Sequence, residues 1–143
     1  MLNLDPESES NISPELELAL ISLEKAQQDL AAVGKWLTDI DISDEIIGFH
    51  IQQAIEKSLK AILLRRAIDY PRTHNLGLLV DLCQSSNVQV PPEFLDLDVF
   101  NRFAVEWRYD LLPVTPQKLD RETAYDLAHR VWIWANELVN EAP

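Results

Sequence analysis

From Leu16 onward, Leu20, Leu23, Ala26, Leu30, Val33 and Leu37 follow one another at steps of three and four residues. That spacing is the period of a helix with one apolar stripe. Ser13 followed by Pro14 supplies a capping hydroxyl and a proline at the first helical position, so a helix starts there. After a short break at Asp39–Asp41, Ser43 caps a second helix that runs to about Ile68. Its apolar positions Ile47, Ile51, Ala54, Ile55, Ser58, Ala61, Ile62 and Leu64 cover more than one stripe, which predicts a central helix packed on two sides.

Tyr70-Pro71 closes this segment, because a residue before proline is pushed out of the helical region. Thr73 then caps a shorter third helix through about Leu82, with Leu76, Leu79 and Leu82 inward. Pro91-Pro92 opens a fourth, whose face carries Phe94, Phe100, Phe103 and Trp107. Pro113-Val114-Thr115-Pro116 is the sharpest break, and Thr115 caps a last helix bearing Leu119, Ala124, Leu127, Ala128, Val131, Trp134, Ala135 and Leu138. No stretch alternates with period two for long enough to form a strand. The expected fold is all-α, a single-domain up-and-down bundle of about five helices over residues 13–141, with residues 1–12 as an acidic tail.

Composition narrows the function. A chain of 143 residues with 47% hydrophobic residues is enough for one domain with a real core. Only three glycines are present and no phosphate-binding glycine loop occurs. The single Cys83 rules out an internal disulfide and a cysteine-based zinc site, and it reads as a small buried apolar residue. The three histidines lack the paired spacing of a metal site, so neither metal nor cofactor is expected. No apolar run reaches the ~18 residues of a membrane span, and the N-terminus lacks a basic leader; the expectation is a cytoplasmic protein off the membrane.

The formal net charge of −12 disfavours broad contact with polyphosphates. The charge is uneven. Residues 1–24 contain Asp5, Glu7, Glu9, Glu15, Glu17 and Glu24 and no base, whereas residues 57–74 contain Lys57, Lys60, Arg65, Arg66 and Arg72 against Asp69. An acidic protein with one basic stretch can hold a phosphate locally, or that stretch can be a solvated helix end.

Three blocks carry candidate chemistry. His50, Gln53, Glu56, Lys57 and Lys60 form a polar ribbon down the second helix, readable as a site or as hydrogen bonding between helices beside a charged edge. Arg72-Thr73-His74 lies at a helix start, where free backbone N–H groups suit an anion or the side chains serve packing and capping. Arg102 and Tyr109, seven residues apart, would share one helical face with Glu106 between them. Arg102–Glu106 can equally be a simple ion pair, and Phe103–Trp107 an aromatic pair of core or interface.

Together, His50-x-x-Gln53-x-x-Glu56-Lys57-x-x-Lys60, Arg72-Thr73-His74-Asn75-Leu76, Asn101-Arg102-Phe103 and Arg108-Tyr109 resemble the HEPN (higher-eukaryote and prokaryote nucleotide-binding) family from about Pro14 to Glu141. The resemblance implies a small helical bundle that dimerises. It also implies a toxin partnered by a minimal nucleotidyltransferase (MNT) antitoxin and acting on RNA, either tRNA or mRNA. In active members an Arg and a His separated by four to six residues cleave RNA without a metal: the 2′-hydroxyl attacks the adjacent phosphate, the Arg stabilises the phosphorane and the His moves protons.

The toxins most like this chain carry Arg-x4-His-x-Tyr, which maps onto Arg102, position 107 and Tyr109. Their antitoxin transfers AMP to the tyrosine of that motif, which assigns Tyr109 as the modified residue. Lys57, Lys60, Arg72, His74 and Arg108 are the matching phosphate contacts. Position 107 is Trp, which transfers no proton at neutral pH, and no Arg-x4–6-His occurs elsewhere in the chain. The expectation is therefore a ribonuclease weakened at Trp107 or one that takes its base from His74 in space, or else a non-catalytic HEPN module that binds a nucleotide or a partner protein; a plain helical adaptor is the third option. A homodimer through the aromatic fourth helix is expected, because Phe94, Phe100, Phe103 and Trp107 exceed what so small a core readily covers.

Overall fold

The computed structural model describes residues 12–104 and 118–141, so Thr115 lies outside the described residues. Four α-helices are present among them: α1 (Pro14–Trp36), α2 (Asp44–Arg65), α3 (Leu76–Ser85) and α4 (Arg121–Asn140). Between α3 and α4 come two 3₁₀ helices, Pro92–Phe94 and Leu97–Phe103. The fold is all-helical.

Local signals set the starts of the long helices. Ser13 Oγ accepts from Leu16 N–H and Ser43 Oγ from Ile46 N–H, each satisfying a donor the helix cannot use internally. The third helix starts differently from expectation. Asn75, not Thr73, caps it by accepting from Leu78 N–H, while Thr73 Oγ1 takes the N–H of Asn75. The last helix is capped by Asp120, which accepts from Thr123 N–H, so Leu119 is buried just ahead of the helix rather than on it.

α2 is central. It packs against α1, α3, α4 and the second 3₁₀ helix, and Ile47, Ile51, Ile55, Leu59, Ile62 and Leu63 are almost wholly shielded from solvent. Burial of each such side chain contributes about 1.5–3 kcal/mol. α1 lies antiparallel on α2: Ser22 Oγ donates to the Lys57 carbonyl, and Asp29 reaches back to His50. α4 is antiparallel to α1, with Trp132 Nε1 donating to the Leu23 carbonyl and Arg121 gripping the end of α1. α2 ends earlier than the expected Ile68. Ala67 takes a left-handed backbone (φ 55°) and the Ile68 N–H bonds the Leu63 carbonyl, turning the partly buried Ile68 back onto the core.

The fourth helix departs most from expectation. Leu97, Phe100 and Phe103 recur at a spacing of three and are all buried. A spacing of three aligns side chains on one face of a 3₁₀ helix, whereas it drifts around an α-helix. Phe94, Phe100 and Phe103 therefore belong to the core and do not supply the aromatic surface from which a homodimer was expected; Trp107 lies outside the described residues.

Arg121 braces one end of the bundle. Its Nε donates to Asp44 Oδ1 at 2.8 Å, and its remaining N–H groups reach the carbonyls of Trp36, Asp39 and Ile42. Asp44 also accepts from the Leu119 N–H. Partial burial pushes the Asp44 carboxyl upward, but the Arg121 bond, the Leu119 N–H and the charges of Arg121 and Lys118 outweigh it and hold the carboxyl below its ordinary range. A lowered carboxyl stabilises the fold above its unfolded value, near pH 4, and that contribution disappears as pH falls further. Asp44→Asn should thus be less stable than the natural chain at pH 7 in denaturant titrations, with the gap closing as pH drops below about 4.

Candidate functional site

One stripe of α2, running in four-residue steps through Gly48, Gln52, Glu56 and Lys60, brings the buried Gln52 and Glu56 together. The Glu56 carboxylate is nearly buried, with 5% side-chain exposure. Its Oε1 accepts from Gln52 Nε2 at 3.0 Å and lies 2.8 Å from His74 Nδ1. Its Oε2 accepts from Lys60 Nζ at 3.0 Å. Gln52 is fully buried and also donates to the His74 carbonyl, while its own oxygen accepts from Gln53. Lys60 Nζ also stands 5.5 Å over the Tyr70 ring. Burial and then the Glu56 charge push the Tyr70 hydroxyl upward, so it remains protonated.

A second cluster occupies the groove between α1 and α2. Asp29 Oδ2 accepts from Lys57 Nζ at 2.6 Å, and Asp29 Oδ1 lies 2.8 Å from His50 Nδ1. Trp36 and Phe49 meet the His50 ring edge-on.

The third block joins the second through two asparagines. Asn101 Oδ1 accepts from the Leu76 N–H at 2.9 Å, and Asn101 Nδ2 donates to Asn75 Oδ1 at 3.1 Å. Asn101 thereby serves as a second cap on α3. Phe103 packs on Gly48, where an added Cβ would overlap its ring. These two anchors hold Arg102 between them, exposed at the surface with its guanidinium 4.3 Å from the Phe103 ring centroid.

The residues singled out from sequence thus fall into distinct places. Lys60 and His74 meet at Glu56, Lys57 pairs with Asp29, and Arg72 is exposed on the connection ahead of α3. Trp107, Arg108 and Tyr109 lie outside the described residues. The helical face expected for Arg102 and Tyr109 depends on Tyr109, which lies outside the described residues. The 3₁₀ helix stops at Phe103 and Ala104 is extended (ψ 148°), so seven-residue spacing no longer fixes a shared face. His129 is exposed on α4, where its ring stacks between Tyr125 and Trp132.

Asp29 and the Asn75–Asn101 clasp were absent from the sequence reading. Gln52 could have been found, because Gln52, Glu56 and Lys60 are spaced four apart and so share one helical face. Among the described residues no group of three or more His, Cys, Asp or Glu side chains is arranged to hold a metal ion, and no described helix is long and apolar enough to cross a membrane.

The sequence profile of the HEPN domain matches residues 19–138. The chain belongs to the HEPN domain family. In the same comparisons no curated protein and no solved structure matched. All three blocks of this HEPN domain lie inside the match, and the structure ties them into one continuous chain of contacts: Gly48 to Phe103, Glu56 to His74, Asn75 to Asn101.

The Gly48–Phe103 contact is the mount for Arg102. Gly48→Ala gains up to about 1 kcal/mol in helix propensity, but it drives a methyl into the Phe103 ring, and overpacking of this kind costs about 1–3 kcal/mol. Chemical denaturation should show Gly48→Ala less stable than the natural chain, and Phe103→Leu should recover part of that loss in the double variant.

Proposed function

We propose that this HEPN protein is the toxin-type member of a pair with an MNT-type nucleotidyltransferase, directed at RNA in the cytoplasm. In this reading Arg102 receives the scissile phosphate. Cleavage is slow because Trp107 stands where the resembling toxins carry His, and the nucleotidyltransferase silences the protein by transferring AMP from ATP to Tyr109. The observation that supports it is Arg102: a permanently charged side chain, exposed in an acidic protein and mounted on two anchored neighbours, Asn101 and Phe103. A phosphorane needs such a fixed counter-charge. A phosphate on Tyr109 would compete for the same guanidinium through a charge-assisted pair. Arg72 and Arg108 are the further phosphate contacts, and a homodimer that brings two copies of Arg102 to one cleft is the assembly this reading uses.

A second reading is a non-catalytic HEPN module that binds a nucleotide or a partner protein. It is favoured by the pairing of Lys57 with Asp29 and of Lys60 and His74 with Glu56, which leaves those three bases largely neutralised by the protein itself.

Two measurements test the first reading. Incubation with the nucleotidyltransferase encoded beside it and ATP should add AMP to the protein, seen by mass spectrometry, and Tyr109→Phe should lose the adduct. An adduct that persists in Tyr109→Phe removes this role from Tyr109. In an RNA cleavage assay Trp107→His should gain about 10²-fold or more, and Arg102→Ala should abolish cleavage. Absence of cleavage by both the natural chain and Trp107→His, in a protein that still binds ATP or its partner, favours the second reading.

A further inference from the structure

We infer that His74 is the proton-transfer residue of this HEPN site, oriented by Glu56 as its positioning residue; the inference rests on the reading of the chain as RNA-directed. With Trp at 107, the imidazoles left to carry a proton are His50, His74 and His129. His129 stands on the outer side of α4 in an aromatic stack, and His50 lies in the α1–α2 groove, its ring between Trp36 and Phe49 and its Nδ1 on Asp29. His74 alone of the three adjoins the segment that carries Arg102. It precedes Asn75, Arg102 follows Asn101, and Asn75 and Asn101 are hydrogen-bonded at 3.1 Å.

The α2 stripe gives the spacing. Phe103 rests on Gly48, while the His74 carbonyl and ring are held by Gln52 and Glu56, one and two turns further on. That separates the two attachment points by about 6–12 Å along the helix axis. An arginine side chain and a bound phosphodiester can bridge such a span.

The ring is prepared for the task. The Glu56 carboxylate only accepts, so His74 Nδ1 is the donor in this pair, and in the neutral imidazole Nε2 is then the acceptor. The His74 side chain is 39% exposed, and no described group bonds Nε2. In the reaction Nε2 takes the proton of the RNA 2′-hydroxyl as the O2′–P bond forms. Arg102 faces the charge on the phosphorane. The P–O5′ bond then breaks and the imidazolium returns its proton to O5′, giving a 2′,3′-cyclic phosphate and a 5′-hydroxyl. Glu56 keeps the tautomer and holds a negative charge beside the transient imidazolium, as the carboxylate of a catalytic triad does.

The test uses the full chain, a mixed-sequence RNA oligonucleotide and its all-2′-deoxy counterpart. The natural protein should cleave only the RNA, slowly, and leave a 2′,3′-cyclic phosphate. His74→Ala should lose about 10²-fold or more, and added imidazole should restore about tenfold, a rescue that a merely structural histidine would not show. Glu56→Gln, with folding checked by circular dichroism, should lower kcat and leave KM for RNA unchanged, while His129→Ala should match the natural protein. If His74→Ala cleaves as fast as the natural chain, or loses activity without imidazole rescue, the inference falls and the RNA-directed reading stands. The same holds if only Trp107→His cleaves. If neither the natural chain nor Trp107→His cleaves RNA, both fall.

Discussion

One nearly buried carboxylate organises the polar half of this molecule. Moving Glu56 out of water carries a penalty of several kcal/mol, tolerable only because Gln52, His74 and Lys60 meet both of its oxygens. No buried side-chain nitrogen or oxygen among the described residues lacks a partner, so the network is complete as it stands. Gln52 adds a bond to the His74 carbonyl, which fastens the connection between α2 and α3 at its far end. The start of α3 follows from that attachment, and through Asn75 and Asn101 the second 3₁₀ helix follows from α3. An apolar group in place of Glu56 can be as stable as a buried ion pair, but it would not aim an imidazole. Orientation is what the carboxylate contributes.

The same accounting explains how a strongly acidic chain presents positive charge at a few points. Lys57, Lys60, Arg121 and Arg130 each pair with a carboxylate. Arg66 and Arg72 stand exposed on the connection between α2 and α3, and Arg102 stacks on Phe103 in the adjoining 3₁₀ segment. Screening at physiological salt limits the reach of such surface charges to about 8 Å. Two other reactive side chains are withdrawn from chemistry. Burial pushes the Cys83 thiol up to about 12, against a weaker opposing effect of Arg66, and Tyr70 is held protonated beside Glu56.

HEPN membership and the local architecture support one another. α1 and α2 form the antiparallel pair that carries Asp29, His50 and Lys57, and α4 closes the core behind them. The connection, α3 and the second 3₁₀ helix make the opposite side of α2. Gly48 permits that arrangement, since the Phe103 ring sits where a Cβ at that position would be.

The helices α1, α2 and α4, the capping roles of Ser13 and Ser43 and the central place of α2 were all legible in the sequence. Each depends on groups within four residues of one another: a side chain bonding an N–H three positions on, or apolar residues one turn apart. Other features were not legible. Leu97, Phe100 and Phe103 fit a 3₁₀ period because Phe103 must meet Gly48 and Asn101 must reach Leu76, partners 55 and 25 positions away in the chain. The same constraint ends that helix at Phe103. Pairing of Lys57 with Asp29, and of His74 with Glu56, needed the packing of α1 on α2 and the course of the chain after Arg66. Sequence alone determined the helices, because their signals are local. Tertiary structure decided which charges meet, because that depends on which distant residues the packed core brings within 3 Å.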